Sequence, residues 1–297
     1  MGTRPHSPTS LQHFAACPYR FLLASIAGLR PLDRRPTYHR MDPALRGELF
    51  HRVVAAVLQQ LSASGSLPFD SGALGNVYAL IDSVLDQFSK EMEEERAPES
   101  ARLWRVDIEE LRTDLRGWAE QKAWDDRDWV PQAWELEFGK QQPVAVLDNL
   151  QLKGAIDLLE RHTSGMLRVV DFKTGRVPDP PPVTIGGGQV LQPALYALAA
   201  EQITGNAVNG GRLHYATMRG NYHTIEIRND ERAHTAVRTL VRAIDNSIRT
   251  GFLPPAPVED ACKHCDYRPV CGPYEEERVH IKDQAELKAL ADVRRCP

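Results

Sequence analysis

No long hydrophobic run occurs in the sequence. The longest uncharged apolar stretch near the N-terminus, FLLASIAGL at 21–29, falls short of the roughly 20 residues a bilayer-spanning helix needs. A membrane span is therefore not expected. The stretch also lacks the setting of a secretory signal, because it lies behind Cys17, Pro18, Tyr19 and Arg20 with no small-residue cleavage site before a mature domain. It is read as a helix packed on the core of a cytoplasmic protein. Cysteine is scarce, with five residues at 17, 262, 265, 271 and 296. An odd, widely separated set without secretory signals argues against a disulfide framework and for metal binding. No P-loop is present, so any unwinding of nucleic acid must come from elsewhere. No internal repeat is visible, and the net charge of −4 carries no global nucleic-acid signature. The distribution differs from the total: residues 1–40 hold six arginines against one acid, Asp33, which describes either a local basic patch or a solvated arm with no partner.

What is present is an ordinary globular composition, 42% hydrophobic and 26% charged over 297 residues. That length buries a substantial core and allows one elaborated domain or two small ones. Thr9 or Ser10 can cap a helix running into LQHFAACPYRFLL. Residues 44–65 place Leu45, Leu49, Val53, Val57 and Leu61 four apart, the mark of an amphipathic helix. Two more helices are predicted between Leu74 and Asp126, divided near Ala97–Glu99. The pattern then alternates, in WELEFGK at 134–140 and in LQLKGAIDLLER at 150–161. A helix follows over 189–205, ending at Gly205, then a second hairpin turning at 219–221 and a helix over 230–250. Helices before and after a mixed central sheet predict an α/β or α+β domain with a helical insertion.

The segment LRVVDFKTG at 167–175 puts an acid and an amine at the end of an apolar strand. Alternation sends Asp171 and Lys173 to one face while Val170 and Phe172 point to the other. Taken alone, this describes an edge strand with a solvated ion pair, which contributes little. The preceding strand changes the balance. If the hairpin is centred on Ser164, Asp157 stands directly across from Asp171, with Cβ atoms within about 5.5 Å. Two carboxylates so placed repel by roughly 3 kcal/mol at an effective dielectric near 20. A divalent cation would offset that cost.

CKHCDYRPVC supplies Cys262, Cys265 and Cys271 in a C-x2-C-x5-C spacing. A fourth ligand is needed. Cys17 is the better candidate, because Cys296 adjoins the chain end, where ordering is poor. Four thiolates suit tetrahedral zinc or an iron–sulfur cluster, and His264 keeps a mixed-ligand zinc site open. One ligand about 245 residues ahead of the other three favours a cluster that clasps the termini. The plain alternative for Cys17 or Cys296 is a buried free cysteine.

In order, CPYRF, GELFH (47–51), GAID (154–157), DFK (171–173), QPALY (192–196) and the terminal cysteines resemble the PD-(D/E)XK nuclease superfamily. The similarity is to its RecB/AddB-like branch with an iron–sulfur cluster, related to CRISPR-associated adaptation nucleases. Asp171 stands where many relatives have Glu, and residues 66–130 match no family motif. The resemblance implies a restriction-endonuclease-like α/β fold: one elaborated domain over 1–297, with a mixed central sheet flanked by helices. It further implies a helical insertion at 66–130 and, at 258–275 with Cys17, an iron–sulfur clasp joining the termini. It implies Mg²⁺ or Mn²⁺ held by His51, Asp157, Asp171 and the backbone carbonyl of Phe172. Lys173 would orient water or stabilise developing charge, and Gln192 and Tyr196 would position the lysine or a phosphate. Glu48 and Glu137 lie beside these motifs. A 4Fe-4S cluster would sit on Cys17, Cys262, Cys265 and Cys271. The implied activity is a DNA exonuclease acting on single strands or ends, with a possible helicase partner. The alternatives are a noncatalytic iron–sulfur DNA-binding or scaffold subunit of a helicase–nuclease complex, and a zinc-bound regulatory protein.

Overall fold

The computed structural model describes residues 4–30, 40–96, 98–124, 126–263 and 265–297. His264 and the Arg34–Arg35 part of the basic arm lie outside the described residues. The first helix, α1 (Pro8–Ala16), is capped by Ser7, whose hydroxyl accepts from Ser10 N–H at 3.1 Å. The cap falls ahead of Thr9 and Ser10 because Pro8, with no N–H to satisfy, opens the first turn. Cys17 separates α1 from the short α2 (Pro18–Phe21). Asp42 caps α3 (Pro43–Ala63), accepting from the Ala44 and Leu45 N–H groups at 2.8 and 2.9 Å. The row Leu45, Leu49, Val53, Val57 and Leu61 is buried, as its spacing requires. The long helices α4 (Leu74–Arg96) and α5 (Ala101–Trp124) pack beside α3 in one hydrophobic core.

The sheet begins with β1 (Trp129–Phe138). A separate two-stranded ribbon, β2 (Val144–Val146) and β3 (Leu150–Leu152), precedes β4 (Gly154–His162) and β5 (Leu167–Lys173). The segment at 150–161, expected as one strand, is broken at Lys153 because Leu150–Leu152 pairs with β2 instead of the main sheet. Next come α6 (Gln192–Thr204), β6 (Val208–Tyr215), β7 (Thr224–Arg228) and α7 (Glu231–Thr250). Helix α6 stops at Gly205, whose φ of 66° is the left-handed cap conformation glycine favours. Short helices α8 (Arg268–Cys271), α9 (Glu275–Arg278) and α10 (Lys288–Arg294) finish the chain.

The main sheet runs β1-β4-β5-β6-β7, antiparallel except for the parallel β5–β6 pair bridged by α6. Alternation on β5 sends Leu167 and Val169 into a core with α1, α6, α7 and α10, and Val170 and Phe172 into the core with α3–α5. The result is a mixed sheet with helices on both faces. Helix α6 sits close on β6 because Gly211 has no side chain: a Cβ there would lie 2.3 Å from the Pro193 carbonyl oxygen.

Away from the Asp171 end of β5, a buried ion network ties the sheet to α5. Glu160 accepts from Lys122 and, at 2.7 Å, from Arg168; Asp126 pairs with Arg168 and Arg212 at 2.5 and 2.6 Å. The chain ends are fastened together by Arg294, which donates to the carbonyls of Ala15, Ala16 and Ala256 at 3.0, 3.2 and 2.5 Å. Among the described residues, no helix is long and apolar enough to cross a membrane.

Candidate metal centre and cysteine cavity

The β4–β5 ladder runs in the Ser164-centred register, with Leu158 across from Val170. That register sets Asp157 opposite Asp171 just where the ladder stops. Phe172 N–H donates to Asp157 Oδ2 at 2.7 Å, so the carboxylate takes the place of a strand carbonyl. On the neighbouring side, Trp134 pairs with Leu158 and Leu136 with Ile156, which puts Glu135 across from Asp157. Glu135, Asp157 and Asp171 thus form a lateral row on three adjacent strands. The backbone at Glu135 is left-handed, φ 45°, a strained conformation for a non-glycine residue.

Cations flank the row. From α3, His51 Nδ1 reaches Asp157 Oδ2 at 3.4 Å and Glu135 Oε1 at 3.8 Å. Lys173 Nζ lies 2.5 Å from Asp171 Oδ2, at an angle that leaves this buried oxygen without a hydrogen bond. Burial, then the Asp157 charge, push the Asp171 carboxyl up to about 6, against the opposing pull of Lys173 and His51. Burial alone would lower the His51 imidazole; the neighbouring carboxylates of Asp157 and Glu135 overcome it and lift the group to about 10. Lys173, also desolvated, is held above its ordinary value by Asp171. Both basic groups are therefore protonated at neutral pH.

Tyr196 is 9% exposed and packs edge-on against Phe138. Its hydroxyl is pushed upward by burial and then by Asp171 and Asp157. Gln192, one turn earlier on α6, accepts through Oε1 from Gln12 Nε2 of α1 at 3.0 Å. The Phe172 ring is buried against Phe50, His51, Trp118 and His214. Glu137 pairs with Lys140 at 2.5 Å on the surface, and exposed Glu48 lines a groove beside His51.

Glu135 is the residue that sequence reading missed. Its carboxylate, the His51 imidazole and the Asp157 carboxylate offer ligand atoms within 4.8 Å of one another, and beside them lies the buried Asp171 carboxylate, whose Oδ2 is ion-paired with Lys173 but accepts no hydrogen bond. Hard oxygen donors with a single nitrogen fit Mg²⁺ or Mn²⁺.

Cys17, Cys262, Cys265 and Cys271 line one enclosed cavity with Tyr19, Pro255, Pro257 and Tyr267. Burial, then Glu276, push the Cys262 thiol up to about 11; burial, then Cys17 and Cys265, raise Cys271. Among the described residues, no three cysteine sulfurs lie within 4.8 Å of one another. Cys296 lies elsewhere, against Asp292.

Over 96 residues the chain is 35% identical to a CRISPR-associated exonuclease Cas4/endonuclease Cas1 fusion of Leptospira interrogans, covering 32% of this chain and 17% of the relative. It is 28% identical over 234 residues to an ATP-dependent helicase/deoxyribonuclease subunit from Moorella thermoacetica, covering 71% of this chain and 19% of that protein. The corresponding protein from Natranaerobius thermophilus is 26% identical over 183 residues, covering 56% and 15% respectively. The chain therefore spans less than a fifth of each of these relatives. The sequence profile of the PD-(D/E)XK nuclease superfamily matches residues 5–272. With the five-stranded mixed sheet flanked by helices, this match establishes that the chain belongs to the PD-(D/E)XK nuclease superfamily and has its restriction-endonuclease-like fold.

Proposed function

We propose that the chain is an Mg²⁺- or Mn²⁺-dependent deoxyribonuclease that hydrolyses phosphodiester bonds at DNA ends or in single strands. The observation that carries this reading is the row of Glu135, Asp157 and Asp171 across three strands, with His51 above it. Asp157, Asp171, Glu135 and His51 would hold the ion, with the Phe172 carbonyl completing the shell. When bound, the ion supplies Lewis acidity and a water of lowered pKa. His51 must shed its proton to act as a ligand, so binding is coupled to proton release. Lys173 keeps its proton and serves as a fixed positive charge for the phosphoryl oxygens as they gain charge in the transition state. Tyr196, its hydroxyl also protonated, is a hydrogen-bond donor at the edge of the row, with Gln192 one turn earlier on the same helix.

The four-cysteine cavity would hold a 4Fe-4S cluster. It would join Cys17, between α1 and α2, to the segment around α8, a stabilising role beside the Arg294 contacts. Because relatives include helicase/deoxyribonuclease subunits, a helicase partner is part of the proposal, in a cytoplasmic setting.

End-labelled single- and double-stranded DNA incubated with chelator, Mg²⁺ or Mn²⁺ tests this function. Degradation is expected only with a metal, and Lys173→Ala should abolish it while DNA binding persists. Degradation in chelator, or full activity in Lys173→Ala, contradicts the reading. DNA binding without cleavage under every condition would leave the noncatalytic scaffold. Anaerobically purified protein should be brown and lose its colour in Cys262→Ser; colourless protein with stoichiometric zinc overturns the cluster.

A further inference from the structure

We propose that a groove running from the metal centre along α3 seats unpaired bases of a single nucleic-acid strand, one of them stacked on the Arg52–Phe88 pair. This inference rests on the nuclease reading above. The groove shares His51 and Glu135 with the carboxylate row and continues over Ala55, Ala56 and Gln59. A strand whose phosphodiester reaches the row therefore has its neighbouring nucleotides beside this surface. From His51 to Gln59 the helix rises roughly 12 Å, room for about three bases at the 3.4 Å rise of a stacked strand.

Charge and shape select bases over phosphates. Among the described residues two cations line the groove, His51 and Arg52, against the acidic Glu48 and Glu135; His51 already faces Asp157 and Glu135 at 3.4 and 3.8 Å, and Arg52 is paired with Glu91 at 3.3 Å. Such a surface does not attract a polyanion through its backbone. What it offers is flat and apolar. The Arg52 guanidinium lies 4.5 Å over the Phe88 ring and remains 38% exposed. Guanidinium planes and aromatic rings stack on bases with little regard to sequence. In a duplex, neighbouring bases cover those faces, so the groove favours single strands.

The test measures the affinity of fluorescent single-stranded hexanucleotides with Ca²⁺ in place of Mg²⁺, for wild type, Phe88→Ala and Phe88→Leu. The leucine variant keeps apolar packing but removes the flat ring, which separates stacking from folding. Both variants should weaken binding by about 5- to 150-fold, the range for one lost base stack. Abasic positions moved along the oligonucleotide should reveal one site at which wild type and variants bind equally. Wild-type affinity in both variants, or an equal loss on every abasic oligonucleotide, overturns the stacking assignment alone. A wild-type chain that binds no nucleic acid overturns it together with the nuclease reading.

Discussion

Replacing Asp171 with asparagine should abolish cleavage and yet stabilise the metal-free protein at alkaline pH. Asp171 is 5% exposed, faces Asp157 across the β4–β5 ladder, and carries an oxygen with no hydrogen bond. Its carboxyl is raised from 3.8 to about 6. A raised carboxylate contributes stability below the unfolded value, near 3.8, and loses it as pH climbs through the folded value near 6. At pH 8 the ionised group therefore costs about 3 kcal/mol. Asparagine removes that cost but also strips Lys173 of its partner, leaving a net gain of about 1–2 kcal/mol, or a rise in Tm of roughly 2–3 °C for a chain of 297 residues. Thermal melts in EDTA should show the gain at pH 8 and its disappearance at pH 4. Added Mn²⁺ should stabilise wild type and not the variant. A variant less stable than wild type at pH 8, or a difference independent of pH, refutes the electrostatic reasoning.

Truncating Glu160 to alanine should destabilise by about 3–5 kcal/mol, read by urea unfolding, because buried Lys122 loses its carboxylate and buried Arg168 keeps Asp126 but loses its other close carboxylate. Gly211→Val should cost at least about 1–3 kcal/mol through overpacking, since even a Cβ would meet the Pro193 carbonyl oxygen; an unchanged melting temperature would contradict that close approach. Calorimetric Mn²⁺ titration at pH 8 in buffers of different ionisation enthalpy should show about one proton released, because His51 sits near 10 in the metal-free site. His51→Ala should remove that proton and most of the affinity.

Much of this arrangement was legible in the sequence, for physical reasons. Centring the hairpin on the turn residues at 162–166 anticipated its register, and with it the Asp157–Asp171 apposition. Four-residue spacing marked the buried row of α3, and Gly205 marked the end of α6. Glu135 escaped because its register with Asp157 depends on the irregular excursion between Gly139 and Lys153. A register shift between Pro131 and Ala133 and a left-handed residue inside β1 obscure it further. Two-residue alternation cannot anticipate either. Glu160 and Arg168 escaped for another reason: on a strand they look like solvent-facing charges, and their partners Lys122 and Asp126 lie far earlier in the chain.

Mn²⁺ binding to the metal-free chain, followed by the loss of the free-ion electron paramagnetic resonance signal, tests the central claim most directly. Wild type should bind the ion, while Asp157→Asn, which keeps the side-chain shape beside Phe172 N–H, should weaken binding by at least about tenfold, or about 1.4 kcal/mol. Equal Mn²⁺ affinity in the two proteins would contradict an ion held by the strand carboxylates.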